Sequence, residues 1–462
     1  MTELNLAQLM LQFLRSKKYG TLRDLMDNMQ PADIAEGMEE LLLDGELERD
    51  ELPRFFRLLP KELAAETFAQ MEPQLQEMLV SAFSDNELTA IMNEMFVDDA
   101  VDLIEEMPAN LVKRILAACD GETRKQINQM LHYPEDSAGS MMTTEYVDLD
   151  IHMTVAEAFA HIRKTGLDKE TIYTGYVIDE GRHLLGLVTV RDLLLANESD
   201  VLGEIMENNV ISVSTQDDKE EVAQLFSHYD FTAMPVVDGD NRLVGIVTFD
   251  DALEVLEEEA TEDMEKMAGM SPSEHTYLLT TVWDIWKQRI PWLILMMLTA
   301  TFTGLIISHF EEGLAKSVAL VGFIPMLMGT AGNGGSQSSV TIIRSLSLGD
   351  LEFSDLPRVL WKEGRVSILC GVALGVASFV KLLLIDRMLF QNPSITVGVS
   401  AVVALTLMAS VFFAKLVGCA LPMLAKKVGF DPAVMAAPFI TTIVDALCLI
   451  VYFGVATAVL GL

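Results

Sequence analysis

Five stretches almost free of charge crowd the last 187 residues of this chain, and they constrain the fold more than any other feature. Ile290–Ser308 has no charged residue over 19 positions, and Ser317–Ile343 has none over 27. Val366–Ile385 is interrupted only by Lys381, Ile395–Ala414 by nothing, and Val434–Leu462 only by Asp445. A bilayer core takes roughly 20 apolar residues to cross as a helix, and each stretch meets that length. Five such runs fit membrane spans and not the buried helices of a soluble domain. What precedes them is of the opposite kind. Residues 1–275 hold 58 acidic and 20 basic side chains, a net of −38, whereas residues 276–462 hold 10 and 12, a net of +2. So acidic a region repels phosphates, which excludes nucleic acid as a partner and favours cations. Cys119, Cys370, Cys419 and Cys448 show no metal-ligand spacing, as in a reduced cytosolic compartment. The opening "MTELNLAQLM" lacks the basic-then-apolar pattern of a signal peptide.

Basic residues orient the spans. With the acidic region inside, the cytosolic flanks hold Lys287, Arg289, Arg344, Arg358, Lys362, Arg365, Lys426 and Lys427, against Lys316, Lys381 and Arg387 outside. That imbalance follows the positive-inside rule and predicts a multi-pass protein of the cell (inner) membrane, with its N-terminus cytoplasmic and its C-terminus outside. Two polar features lie within the spans. The second contains "PMLMGTAGNGGSQSS", Pro325–Ser339, whose glycines with Asn333, Ser336 and Gln337 make a poor lipid-facing helix. The fifth contains Asp445, a carboxylate costing roughly 2.5–3.5 kcal/mol at a bilayer centre. Polar groups at that depth are tolerated where they are buried in protein or line a wet cavity. Lys381 and Lys415 are the membrane lysines able to pair with Asp445, but both are read as lying near span ends, free to snorkel. The pattern therefore points to a carboxylate on a cation pathway.

Residues 1–130 read as helices, with apolar residues at three- and four-residue spacing and recurring starts such as "QPADIAEGM" and "LPKELAAETF". Further on the chain is duplicated. "YVIDEGRHLLGLVTVRDLLL" (176–195) parallels "PVVDGDNRLVGIVTFDDALE" (235–254), with Asp179/Asp238, Gly186/Gly245, Thr189/Thr248 and Asp192/Asp251 each 59 residues apart. The pattern in each copy is strand, turn, strand, then a helix opening near the Asp. A connector follows with nine acids between Asp250 and Glu265, and no helix breaker before Gly269.

The duplicated segment resembles a tandem pair of CBS domains, which implies adenine-nucleotide binding (ATP or a relative), with Arg191 and Asp192 where the family's ribose contact falls. In its order of parts the whole chain resembles the MgtE-type magnesium transporter/channel family. The specific matches are "PMLMGTAGNGGSQSS" and "FDPAVMAAPFITTIVDALCLIVYF". Ala331, Ser336, Ala437 and Cys448 stand where some members have Gly, Asn, Asn and Gly. The implied fold is a multi-domain membrane protein: an all-α helical-repeat N-terminal domain (1–130), an α/β CBS pair (131–200 and 201–258), an acidic connecting (plug) helix (259–285) and a five-helix transmembrane pore domain (286–462). The implied assembly is a homodimer in membrane lipid with a cation pore on its axis. Asp445 would be the pore carboxylate, with Gly329, Gly332, Asn333, Ser336, Gln337 and Thr441 beside it. Cytosolic Mg2+ would close the pore by bridging Glu66, Asp98 and Asp102 with Asp218, Glu220, Asp230 and Asp251, and with Glu262, Asp263 and Asp431. Physically, a dication that holds its waters tightly suits a site of one or two carboxylates. Alternatives are uptake of Mn2+ or Co2+, or a Mg2+-sensing scaffold that conducts nothing. No nucleophile–base pair, cofactor motif or P-loop marks an enzyme.

Overall fold

The structure is a computed structural model that describes residues 6–273, 277–310, 318–435 and 437–461. It divides into two compact units that meet in the sequence between Glu259 and Ala260.

In the first unit, ten short helices are described from Leu6–Arg15 to Gly121–Met130. Proline occupies the first turn of Pro31–Leu43, Leu52–Phe56 and Pro73–Ala82, where its missing N–H costs nothing. Ser84 and Glu87 form a reciprocal capping box on Asp85–Met92. These helices share one core, in which Phe56, Phe68 and Phe83 meet with ring centroids 5.4–6.1 Å apart.

The duplication folds as two three-stranded sheets of the same topology. In one, β1 (Val147–Asp150) runs parallel to β2 (Thr174–Ile178), which pairs antiparallel with β3 (Leu184–Thr189). In the other, β4 (Val213–Ser214), β5 (Ala233–Val237) and β6 (Leu243–Thr248) repeat that order. The repeated Thr-x-x-Asp has a local physical reason. Thr189 Oγ1 donates to Asp192 Oδ2 at 2.5 Å, and Thr248 Oγ1 to Asp251 Oδ2 at 2.5 Å, at the point where a strand ends and a helix begins. Asp192 thus completes a capping box with Thr189.

The helix after β6 runs unbroken from Phe249 to Met267. It therefore differs from the connecting helix expected over 259–285. It starts inside the second copy of the duplicated segment, and it stops ahead of Gly269, which takes φ +73° with Pro272 close behind.

In the second unit, five helices among the described residues are long and apolar enough to cross a membrane: Val282–His309, Val318–Ser347, Phe353–Leu389, Val397–Val428 and Ala433–Leu460. The third ends in a π-helical turn, Leu382–Leu389, where Lys381 Nζ pairs with Asp386 Oδ2 at 2.8 Å. The fourth runs well beyond Ala414, to Val428, and this places Lys415 inside the helix, not near its end. Leu327 and Ala331 of the second, Val402 and Val403 of the fourth, and Ile440 and Val444 of the fifth form the common core.

Candidate functional site

The second membrane helix has two faces. Leu327, Ala331, Gly334, Gly335, Ser338 and Ile342 are buried against neighbouring helices. Pro325, Gly329, Asn333 and Gln337 recur every four residues as an exposed stripe, with Ser336 half-buried at its edge. Gly332 faces the fifth helix, and a Cβ placed there would lie 3.5 Å from Thr441 Cγ2. Asp445 stands one helical turn beyond Thr441, half-buried. Neither membrane lysine reaches it. Lys381 is engaged with Asp386, and Lys415 Nζ donates to Ser338 Oγ at 3.3 Å. The expectation that Lys415 snorkels is thereby corrected, since it is 6 % exposed. Among the described residues, Asp445 has neither an ion pair nor a hydrogen-bond partner. The arrangement is a bare carboxylate on the fifth helix, one turn from the point where that helix meets the second, whose exposed row carries polar and small residues.

The first unit gathers acids. Helix Val97–Glu105 presents Asp98, Asp99 and Asp102, and the principal charges acting on them come from Asp251 and Glu254 on the helix after β6 and from Glu145 and Glu170. Asp98 is only 8 % exposed. Burial, then the negative charge of Asp251, drives the pKa of Asp98 well above the carboxylate range; Asp102 moves the same way, from the protein crowded around it and then from Asp251, although its own side chain is exposed at the surface. The same causes push Asp99 up to about 7, and burial with Asp250 and Asp251 pushes Glu170 up to about 7. Among the described residues no three acids converge closely enough to hold a metal ion. The cluster is one of mutual repulsion, not a formed coordination shell.

Other expected acids lie elsewhere. Glu66 is exposed on helix Lys61–Ala69. Asp218 caps the start of helix Lys219–Tyr229, accepting from Glu220 N at 2.9 Å, and Asp230 ends that helix in a left-handed conformation, φ 57°. Twelve positions at 1.5 Å each separate Asp218 from Asp230 by about 18 Å along the helix. Arg191 and Asp192 are both exposed at the start of helix Val190–Leu195.

A second group of acids lies in the second unit, around a cation absent from the sequence reading. Lys266 Nζ is 2.5 Å from Glu262 Oε1 and 2.7 Å from Asp431 Oδ2. Burial disfavours this ammonium, but Asp431 and Glu262 outweigh it and raise the Lys266 pKa. Asp263 accepts from Ser347 Oγ at 2.8 Å. Burial raises its pKa, with Asp431 adding to the effect and Ser347 opposing it. Asp99, Glu254 and Lys266 each stand one to four residues from an acid already singled out, a signal that helical spacing carries. Glu145 and Glu170 left no such trace.

Comparison with known proteins accounts for this combination. The family model MgtE, a divalent cation transporter, matches residues 324–455; the MgtE intracellular N domain matches 29–136, and CBS domains match 138–199 and 202–258. Magnesium transporter MgtE of Thermus thermophilus is 37% identical over 443 residues, 95% of this chain and 95% of that protein. The chain belongs to the MgtE family. Magnesium transporter MgtE of Bacillus subtilis is 34% identical over 445 residues, 96% of this chain and 95% of its own. A crystal structure of the cytosolic domain of the Mg2+ channel MgtE in complex with ATP is similar at 36% identity, covering 54% of this MgtE-family chain and 99% of that one, with a TM-score of 0.50. The helical N-terminal region, CBS pair and five apolar helices are those of a multi-domain membrane transporter of this family.

Proposed function

We propose that this MgtE-family chain is a homodimeric channel that admits Mg2+ down its electrochemical gradient and is closed by cytosolic Mg2+. The observation that carries the reading is Asp445, half-buried and unpartnered among the described residues, one turn from Thr441, which meets Gly332 on the helix that bears the exposed stripe of Gly329, Asn333 and Gln337. Two copies about a two-fold axis would place two such carboxylates on one path. Gly332, Ser336 and Thr441 would complete the lining. Two charges attract a hydrated dication without stripping its shell. An inside-negative potential of 100 mV adds about 4.6 kcal/mol for a divalent ion, so influx needs no ATPase. The N-terminus would be cytoplasmic and the C-terminus outside. Mn2+ or Co2+ is the second reading, favoured by how little a lone carboxylate discriminates. Flux into liposomes with Mg2+, Mn2+, Co2+ and Na+ compared separates these, and absence of any divalent flux leaves only a non-conducting sensor.

Closure would follow from the acids. Asp98, Asp102 and Asp251 would attract Mg2+ once ionised, and Glu66, Asp218, Glu220 and Asp230 would serve as peripheral attractors. Around the connecting helix, Glu262, Asp263 and Asp431 would take Mg2+, with Lys266 neutralising them when it is absent. Lys266→Met is then expected to speed proteolysis of the 259–275 connector at least tenfold in chelator, and millimolar Mg2+ should remove most of that difference. Equal cleavage of both proteins in chelator would refute the role of Lys266.

ATP or a related adenine nucleotide would bind the CBS pair at Arg191 and Asp192. Calorimetry should detect ATP binding that weakens at least tenfold in Arg191→Ala. Asp192→Ala should weaken it too, with an added loss of stability because it breaks the capping box with Thr189. No heat with any adenine nucleotide would make the pair purely structural.

A further inference from the structure

Between Val397 and Ala425 the fourth membrane helix carries one charged residue, Lys415, and it is buried at 6 % exposure. A charged side chain inside a membrane domain is expensive and calls for a partner. Lys415 has no direct ion pair among the described residues. Its Nζ donates to Ser338 Oγ on the second helix at 3.3 Å, and Ser338 Oγ donates to Glu363 Oε2 on the third helix at 2.7 Å. One hydroxyl thus links a cation and an anion from three helices.

The surroundings explain why such a link matters. One turn before Ser338, the second and fourth helices touch backbone to backbone. A Cβ on Gly418 would collide with the Gly335 carbonyl, and one on Gly335 would lie 3.1 Å from Ala414 O. Small residues permit this approach, but at this contact itself they leave a smooth surface with no side chain to set helix rotation. Rotation has consequences here, because successive residues of a helix point about 100° apart. A one-residue turn would carry Asn333 and Gln337 off the exposed stripe and bring Ser339 to where Ser338 stands. Among the described residues Ser339 Oγ is buried without a hydrogen-bond partner, so the neighbouring hydroxyl is not selected.

We propose that Lys415 and Glu363, acting through Ser338, are positioning residues that fix the rotation of the second membrane helix and so aim Asn333 and Gln337 at the ion path. This rests on the channel reading above. The directional bonds from Lys415 to Ser338 and from Ser338 to Glu363 supply what the glycine contact lacks, and their polar ends stay satisfied only in one register.

The test uses the full chain in liposomes. Lys415→Met and Ser338→Ala are each expected to lower Mg2+ flux at least tenfold, whereas Lys415→Arg and Ser338→Thr, which keep a donor, retain more than half, and Ser339→Ala changes nothing. Removing the buried Lys415 charge leaves half-buried Glu363 without its counter-charge, so Lys415→Met should melt earlier than wild type, and the pair Lys415→Met/Glu363→Gln should regain the lost melting temperature. Flux should stay low in that pair, because register and not stability is missing. A pair that recovers flux together with stability, or a Lys415→Met protein that conducts like wild type, overturns the proposal. Hydrogen exchange over 331–341 is read alongside, expected to be at least tenfold faster in Lys415→Met and Ser338→Ala. If wild type passes no divalent ion the channel reading fails by itself, and unchanged exchange would then still dispose of the positioning role.

Discussion

Replacing Asp445 by Ala should cut divalent flux through reconstituted protein at least a hundredfold while leaving assembly intact. A dication about 4 Å from one carboxylate gains about 2 kcal/mol even at the dielectric of water, twice the value for unit charges. Two copies across a two-fold axis would double that, to about 4 kcal/mol, or about a thousandfold in pore occupancy. Nothing on the stability side opposes the change, since Asp445 has no bonded partner among the described residues to be stranded. Asp445→Asn should fail nearly as badly as Asp445→Ala, because it keeps the polarity and shape and loses only the charge. Asp445→Glu should keep a measurable fraction of flux. Size-exclusion chromatography of each variant checks that loss of flux is not loss of the oligomer. Wild-type flux from an assembled Asp445→Ala protein would remove this residue from the pathway.

The acid cluster of the first unit makes helix Val97–Glu105 pH-sensitive in a direction that can be worked out. Asp98, Asp99, Asp102 and Glu170 have pKa values raised in the folded state, to about 7 for Asp99 and Glu170, so between the ordinary carboxylate range and about pH 7 the folded form holds more protons than the unfolded one. Stability therefore falls as pH rises through that window and is greatest below it. Asp102 is exposed and Asp99 half-buried, so solvent screening leaves buried Asp98 the largest share, and about 3 kcal/mol for the three together is a reasonable total, about a hundredfold in local opening. In chelator, hydrogen exchange over 97–105, corrected for intrinsic rate, should be about a hundredfold faster at pH 7.5 than at pH 5.5. Millimolar Mg2+ should reverse most of that at pH 7.5 and do little at pH 5.5, where protons already neutralise the acids. Asp98→Asn/Asp102→Asn/Asp251→Asn should exchange slowly under all four conditions. A Mg2+ effect equal at both pH values would refute competition between proton and metal at this cluster.

How much of this was legible without coordinates varies with the physics of each feature. Five spans could be read directly, because hydropathy is summed over neighbours in the chain and each helix carries its own. The CBS duplication was legible for a similar reason: Thr189 with Asp192, and Thr248 with Asp251, cap helices within three residues, so the motif is local and repeats intact. Asp445 stood out since a lone charge in an apolar run is conspicuous wherever the run goes. Tertiary structure decided the rest. Lys415 within its apolar run looks the same whether it snorkels or turns inward to Ser338, and only the packing of three helices distinguishes these. Glu145 and Glu170 join the Asp98 cluster across loops whose closure no local pattern encodes. Asp218 and Asp230 belong to one expected set of bridging acids, yet a helix holds them at its opposite ends. Sequence determined which segments are apolar, capped or charged, because those properties belong to residues and their near neighbours. Which charges meet, and which face of the second membrane helix is left open, was settled only by long-range packing, where burial costs and hydrogen-bond geometry select one arrangement among many with the same local pattern.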